Sequence, residues 1–284
     1  MDRPALTRID DCPAPAKLNL FLHVVGRRPD GYHLLQSAFR LIDLADTLSF
    51  HVRPDGVLRR TNAVEGVPEQ DDLVIRAAAM LQRETACNLG ADIKLDKRIP
   101  MGAGLGGGSS DAATTLIALN RLWQTGLDRP TLASLGLRLG ADVPFFVFGR
   151  DAFVQGIGED LQPLPLEPAW YVLLSPGVGI PTREIFAAKE LTRDSEAIKI
   201  TDFATSITRN DLQSVACSRY PEVQAAIDWL GRHAPARMTG SGSCIFAEVA
   251  SESQASRIVE SCPPKWRAWT TRSIARHPLF DWVR

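Results

Sequence analysis

The 284-residue sequence holds no uninterrupted apolar run near the ~20 residues a helix needs to cross a bilayer. Its first residues, Met1–Cys12, carry charges and lack the apolar stretch of a secretory signal. It has almost no net charge, formally −1, so no overall basic field points to nucleic acid. The basic pair Arg59-Arg60 is isolated and reads as a solvated strand end. It has no CxxC pair. The five cysteines, Cys12, Cys87, Cys217, Cys244 and Cys262, are scattered and odd in number, which fits reduced thiols rather than a disulfide framework. There is no HExxH and no Cys/His cluster, so a structural zinc is not expected. No internal repeat of fixed period is present. What remains is a cytosolic, globular chain. Hydrophobic residues make up 45% and charged residues 23%, enough for one large domain or two of ordinary size.

Along the chain, Ala16–Val25 reads as an apolar strand, followed by the turn signal Arg28-Pro29-Asp30-Gly31 and then Tyr32-His33. Asp43–Val52 reads as extended, and Leu73–Thr85 as a helix capped by Asp71 or Asp72. Ala91–Ile99 alternates like a half-buried strand. Asp111–Trp123 and Pro130–Leu139 have helical character, with Pro130 suited to a first turn. Phe145–Phe148 reads as a buried strand. The proline-rich stretch Leu161–Pro168 marks an expected boundary between domains 1–160 and 161–284, with the last strand free to return to the first. Beyond it the pattern predicts strands over Trp170–Leu174, Cys244–Val249 and Lys265–Arg272. Helices are predicted near Thr182, Pro221–Gly231 and Ser251–Ser261. Strands and helices alternate without βαβ regularity, which favours an α+β fold over a doubly wound sheet.

One segment carries chemistry on its face: Pro100-Met101-Gly102-Ala103-Gly104-Leu105-Gly106-Gly107-Gly108-Ser109-Ser110. Five of the seven residues from Gly102 to Gly108 are glycine, so successive backbone N–H groups can converge on one anion. The following helix adds its unpaired N–H groups and its dipole. Ser109 and Ser110 can cap that helix, bind a phosphate or ligate Mg²⁺. A mere flexible loop is the rival reading, disfavoured by the tight placement between strand and helix. There is no GxxxxGK[ST] and no HRD or DFG, which excludes P-loop NTPases and protein kinases. The GxGxxG within the segment lacks the second strand and acidic residue of a dinucleotide site, since Gln124–Leu139 reads as turn and helix.

Three separated segments, Pro15-Ala16-Lys17-Leu18-Asn19-Leu20, Pro100–Ser110 and Thr239-Gly240-Ser241-Gly242-Ser243-Cys244, together resemble the three signature motifs of the GHMP kinase superfamily. Arg28–His33 and Gly140-Ala141-Asp142-Val143-Pro144 narrow the resemblance to members acting on a cytidylyl-linked methylerythritol, over about residues 13–250. The resemblance implies an N-terminal ATP-binding α+β domain and a ferredoxin-like C-terminal domain, with the active site between them. It implies transfer of the γ-phosphoryl group of ATP, with Mg²⁺, to the acceptor's 2-hydroxyl in non-mevalonate isoprenoid synthesis. The partners are then two small molecules, with no nucleic acid or membrane, and the chain is a monomer or weak homodimer.

The resemblance makes Asp142 the general base, against the rival reading of a capping or turn aspartate. Lys17, a lysine inside an apolar strand, calls for a partner, and Asp142 is the candidate. Asn19 shares its strand face and is placed at the substrate. Tyr32 would stack on cytosine and His33 read its polar edge. Phe186 matches the second stacking aromatic, although a core phenylalanine is a serious rival. Thr182 would approach the substrate, and Gly240 and Gly242 would admit the backbone close to the reacting groups. Lys97 and Asp72 are weaker suggestions near the nucleotide base. Asp111 serves either the helix dipole or Mg²⁺, and the metal ligands stay open.

Overall fold

The computed structural model describes residues 6–284, so the first five residues of the Met1–Cys12 segment lie outside the described residues. Two long antiparallel strands, β1 (Arg8–Arg27) and β2 (His33–Arg53), form the backbone of the first sheet. The predicted turn joins them, with Gly31 at φ +93°. Both strands run well beyond the stretches expected from the sequence. The pairing slips at Pro15/Lys17 and again at Asn19/Leu22. Proline has no N–H to give the ladder, so a bulge beside Pro15 is where the chain can tolerate it. These two irregularities bracket Lys17–Asn19 and aim the segment.

β3 (Leu58–Arg60), β4 (Gly90–Asp96), β5 (Ala152–Gln155) and β6 (Asp160–Pro163) complete this sheet in the order β3-β4-β2-β5-β6, with β1 on β2. Against it pack α1 (Leu73–Thr85) and α2 (Gly107–Leu122), and against these helices pack α3 (Arg129–Leu137) and α4 (Val143–Phe148). α2 is buried on nearly every side, and Ala112, Ala113 and Ala118 let its neighbours approach. It begins at Gly107, four residues before the expected start at Asp111, so Gly107–Ser110 form its first turn.

The segment Phe145–Phe148, expected as a strand, is helical. A short fully apolar run has no periodicity to tell strand from buried helix. Pro144 in the first turn, with φ preset for a helix, is the local reason for the outcome.

The second sheet is antiparallel throughout, in the order β10-β7-β9-β8. Its strands are β7 (Trp170–Ser175), β8 (Ala236–Met238), β9 (Ile245–Val249) and β10 (Arg267–Arg272). The helices of this half are α5 (Thr182–Phe186), α6 (Asp211–Arg219), α7 (Pro221–Gly231) and α8 (Glu252–Glu260). β10 pairs with β7, and the tail beyond it packs Leu279 and Val283 into the first core.

Side chains alternate across a strand. Ala16 and Leu18 therefore enter an apolar joint with Ile42, Tyr171, Leu173 and Phe246, where the two sheets meet. Lys17 and Asn19 face the other way, into the cleft. Ala103 and Leu105 of the glycine-rich segment anchor in the same joint.

Candidate active site

The cleft is a cavity of about 600 Å³ lined from both halves of the chain. Its phosphate-sized end is built by two glycine loops laid backbone to backbone. Gly102, Gly104 and Gly106 take φ of +63°, +76° and +72°. Alternating left-handed residues turn neighbouring N–H groups to one side, which makes an anion-binding concavity. A Cβ on Gly104 would stand 2.3 Å from the Thr239 carbonyl oxygen, and one on Gly240 would stand 2.9 Å from the Gly104 oxygen. Cys244 N–H donates to the Ala103 carbonyl at 3.1 Å and Lys17 N–H to the Leu105 carbonyl at 3.0 Å. The loop is thus fixed from two sides. Gly106 occupies the cap position of α2, and no side chain caps the helix, so its first N–H groups remain for a ligand.

The two serines behave differently from each other. Ser109 lines the cavity, whereas Ser110 is fully buried and its hydroxyl has no partner. Neither caps the helix, contrary to one of the expected roles.

Lys17 is buried, and its Nζ donates to Asn19 Oδ1 and lies 3.3 Å from Asp142 Oδ2. The ammonium also sits 4.4 Å from the centroid of the Phe39 ring. Asn19 is held in turn: its N–H donates to Thr239 Oγ1 at 2.8 Å and its Nδ2 to Ser37 Oγ at 3.0 Å. Asp142 occupies the cap position of α4, yet its side chain makes no cap hydrogen bond. The capping reading fails, and the carboxylate is partly exposed to the cavity beside Lys17.

Lys97 and Asp111 form a second buried charge group under the loop. Lys97 Nζ donates to Asp111 Oδ2 at 2.7 Å and to Asp46, and Asp46 also accepts from the Ile99 N–H at 2.8 Å. Burial would lower the Lys97 pKa, but the two carboxylates outweigh it and hold the ammonium above its ordinary value. Burial, opposed by Lys97 and reinforced by Asp46, pushes the Asp111 carboxyl up to about 8. Two carboxylates share one cation here. Asp72 caps α1 through the Val74 N–H at 2.8 Å, as one of the two expected caps, and its carboxylate is also paired with Arg60.

At the far end, Phe186 lines the cavity and the His33 ring packs on it, centroids 5.0 Å apart and 31° between planes. Tyr32, the residue before His33, is 61% exposed, and neither of the two lines the cavity. Thr182 Oγ1 and Ser241 Oγ are 2.7 Å apart, which ties α5 to the second glycine loop. Gly242 lies under Met238 and Ile180, behind that loop, while Gly240 lines the cavity. Sequence reasoning missed Asp46, Phe39 and Arg193, and named Thr239 only as part of the third motif. Asp46 left no local signal, since it stands between Ala45 and Thr47 in a strand that also carries Asp43.

The sequence pattern of the GHMP kinases N terminal domain matches residues 72–150, and that of the GHMP kinases C terminal domain matches residues 187–267. The 4-diphosphocytidyl-2-C-methyl-D-erythritol kinase of Aromatoleum aromaticum is 69% identical over 283 residues, covering 100% of both chains. That of an Azoarcus species is 68% identical over 269 residues, covering 95% of each. A crystal structure of 4-(cytidine 5'-diphospho)-2C-methyl-D-erythritol kinase superposes with a TM-score of 0.80 at 34% identity, over 93% of this chain and 98% of that one. The chain belongs to the GHMP kinases, and within them to the 4-diphosphocytidyl-2-C-methyl-D-erythritol kinase family. The two-domain α+β architecture with a cleft between the halves is the fold of that family.

Proposed function

We propose that this chain is a small-molecule kinase that transfers the γ-phosphoryl group of ATP to the 2-hydroxyl of 4-diphosphocytidyl-2-C-methyl-D-erythritol, a step of non-mevalonate isoprenoid synthesis. The observation that carries the reading is the Lys17–Asp142 pair, 3.3 Å apart, in one cavity with both glycine loops. Phosphoryl transfer asks the protein for positioning, charge neutralisation and a proton acceptor. The loop from Pro100 to Ser110 and the open end of α2 hold the triphosphate. Asp142 takes the proton of the acceptor hydroxyl. Lys17 holds that carboxylate in place, and offers positive charge to the oxygens that gain negative charge in transfer. Asn19 and the Gly240 loop position the acceptor. Tyr32, His33 and Phe186 hold the cytosine, and Thr182 approaches from the same segment.

Mg²⁺ belongs to the same proposal; bound with ATP, it would neutralise phosphate charge. Among the described residues no cluster of three or more His, Cys, Asp or Glu side chains forms a metal cage, which suits an ion carried mainly by the nucleotide's own oxygens. The residues fit such an ion. Asp111 lines the cavity, its Oδ1 is buried without a partner, and the Lys97 group holds one more carboxylate than it has cations.

In this reading residues 1–160 supply the nucleotide domain and 161–284 the substrate side. Among the described residues, no helix is long and apolar enough to cross a membrane. A cytoplasmic setting is supported by five cysteines that are all free thiols. Action as a monomer or weak homodimer belongs to the same proposal.

The test is direct. Purified protein with Mg²⁺-ATP should form ADP at a rate that depends on 4-diphosphocytidyl-2-C-methyl-D-erythritol and not on homoserine or mevalonate. ADP formation indifferent to the cytidylyl substrate overturns the assignment.

A further inference from the structure

Arg193 lies outside every motif noted in the sequence, yet it touches both halves of the base end. Its Nε donates to His33 Nε2 at 3.1 Å. Its Nη2 donates to the carbonyls of Phe186, at 3.1 Å, and Ala188, and its Nη1 to the carbonyl of Leu191 at 3.0 Å. Phe186 is the last residue of α5, so these bonds satisfy carbonyls that the helix end leaves open. Glu190 feels the charge of Arg193, but it is paired with Arg219. The imidazole ring of His33 lies against the Phe186 ring, so one guanidinium fixes both aromatic walls relative to each other.

A guanidinium has donors only and never gives up its charge. The atom it faces must therefore be a lone pair, which makes Nε2 of His33 an acceptor and leaves the ring proton on Nδ1. We propose that Arg193 is a positioning residue of the base end: it fixes His33 as the Nδ1–H tautomer and so presents the ring as a hydrogen-bond donor to the pyrimidine. Cytosine offers an acceptor at ring atom N3, where uracil carries a proton, so a fixed donor favours cytosine. The inference rests on the base-binding role given to His33 above. The environment agrees with it. Burial first, then the charges of Arg193 and Arg27, hold the His33 pKa below its ordinary value, which favours the neutral ring. Those two arginines are the charged groups that act on the ring.

The decisive measurement needs no substrate. Long-range ¹H–¹⁵N spectra of ¹⁵N-histidine-labelled protein should show His33 as the Nδ1–H tautomer at pH 7.5, with protonation setting in at lower pH than in a free imidazole. Arg193→Met should release the tautomer and bring the titration back toward the ordinary value, and Arg193→Lys should restore the tautomer in part. In kinetics, Arg193→Met should raise KM for the cytidylyl substrate about 3- to 10-fold, the worth of one hydrogen bond. Its kcat and its KM for ATP should hold, and its preference for cytidylyl over uridylyl substrate should shrink. An Nε2–H or charged His33 in the unaltered protein overturns the inference, even if Arg193→Met fails to fold. So does an Arg193→Met protein with unchanged KM and base preference. Failure of the reading beneath it looks different: the Nδ1–H tautomer is present, but the unaltered protein gives no ADP with the cytidylyl substrate, which overturns the role in base recognition alone.

Discussion

The two ends of the cleft are built on different principles. The phosphate end is made of backbone. Three left-handed glycines, a helix start and a second glycine loop are packed so closely that a single Cβ on Gly104 would overlap the Thr239 carbonyl. The base end is made of side chains. Tyr32 stands largely exposed, and His33 and Phe186 are joined by one arginine. Backbone geometry suits a ligand group common to every nucleotide, because N–H groups are the same whatever the sequence. Side chains suit the part of the substrate that differs between relatives. The phosphate end should therefore fail by loss of turnover and fold, and the base end by loss of affinity.

The largest effect that tests this contrast is at Asp142. Asp142→Asn keeps the size of the side chain and removes its basicity, so kcat should fall about 10³-fold while nucleotide binding by calorimetry stays near normal. Turnover within tenfold of the unaltered protein would remove Asp142 as the base and dissolve the chemical distinction between the two ends.

Next in size is Gly104→Ala, which should destabilise the fold by about 3 kcal/mol, from the positive φ and the contact with Thr239 together. Gly102→Ala is the internal control. Its φ is also positive, at +63°, but a Cβ there meets nothing within 4 Å, so only the backbone preference of about 1 kcal/mol is lost. Equal losses in the two variants, by denaturant titration, would mean that the packing of the two glycine loops contributes nothing.

How much of this was legible in the sequence follows the same division. The glycine-rich segment announces itself because its function is local: the residues that make the concavity are consecutive. Lys17, Asn19 and Asp142 were legible through the resemblance, and the structure then joined Lys17 to Asp142 across the fold. Asp46 and Arg193 were not legible as site residues. Each acts through a partner far along the chain, Lys97 and His33, and no periodicity encodes such a contact. The extent of β1 and β2 was hidden for another reason. Both faces of these strands are covered over long stretches, so polar and apolar residues do not alternate cleanly. The helix α4 was misread because an apolar run of six residues has no period to read.

Acid should also separate the two ends. His277 comes from the tail, yet its Nε2 lies 3.3 Å from Thr114 Oγ1 of α2, the helix that carries the phosphate loop, and its Nδ1 accepts from the Leu279 N–H at 3.1 Å. Burial, helped by the charge of Arg129, lowers its pKa to about 3. The folded ring is neutral, while the unfolded chain takes up a proton near pH 6.5. Stability from this group is therefore complete above about pH 6.5 and is lost as pH falls toward 3. At pH 5 the loss is about 2 kcal/mol. In His277→Gln the fall in stability between pH 7 and pH 5 should be smaller by about that amount, read by urea unfolding at the two pH values. An unchanged difference would show that acid does not act on the phosphate end through His277. The His33 pKa is lowered too, but that ring is only partly buried and stands at the other end of the cleft, so its protonation bears on substrate affinity more than on the fold.

The smallest effect belongs to Tyr32, and it is the sharpest test of the contrast. The side chain is 61% exposed, so its removal exposes little core and should leave the melting temperature nearly unchanged. What it offers is a face for a planar ring. Stacking between a base and an aromatic side chain is worth about 1–2 kcal/mol, so Tyr32→Ala should raise KM for the cytidylyl substrate roughly tenfold. kcat and KM for ATP should hold, because the phosphate loop, Lys17 and Asp142 are untouched by the change. Tyr32→Phe keeps the ring and should recover most of the affinity. If Tyr32→Ala instead lowers kcat with KM unchanged, this exposed residue is acting on the chemistry, and the two ends are not separable in the way their construction implies.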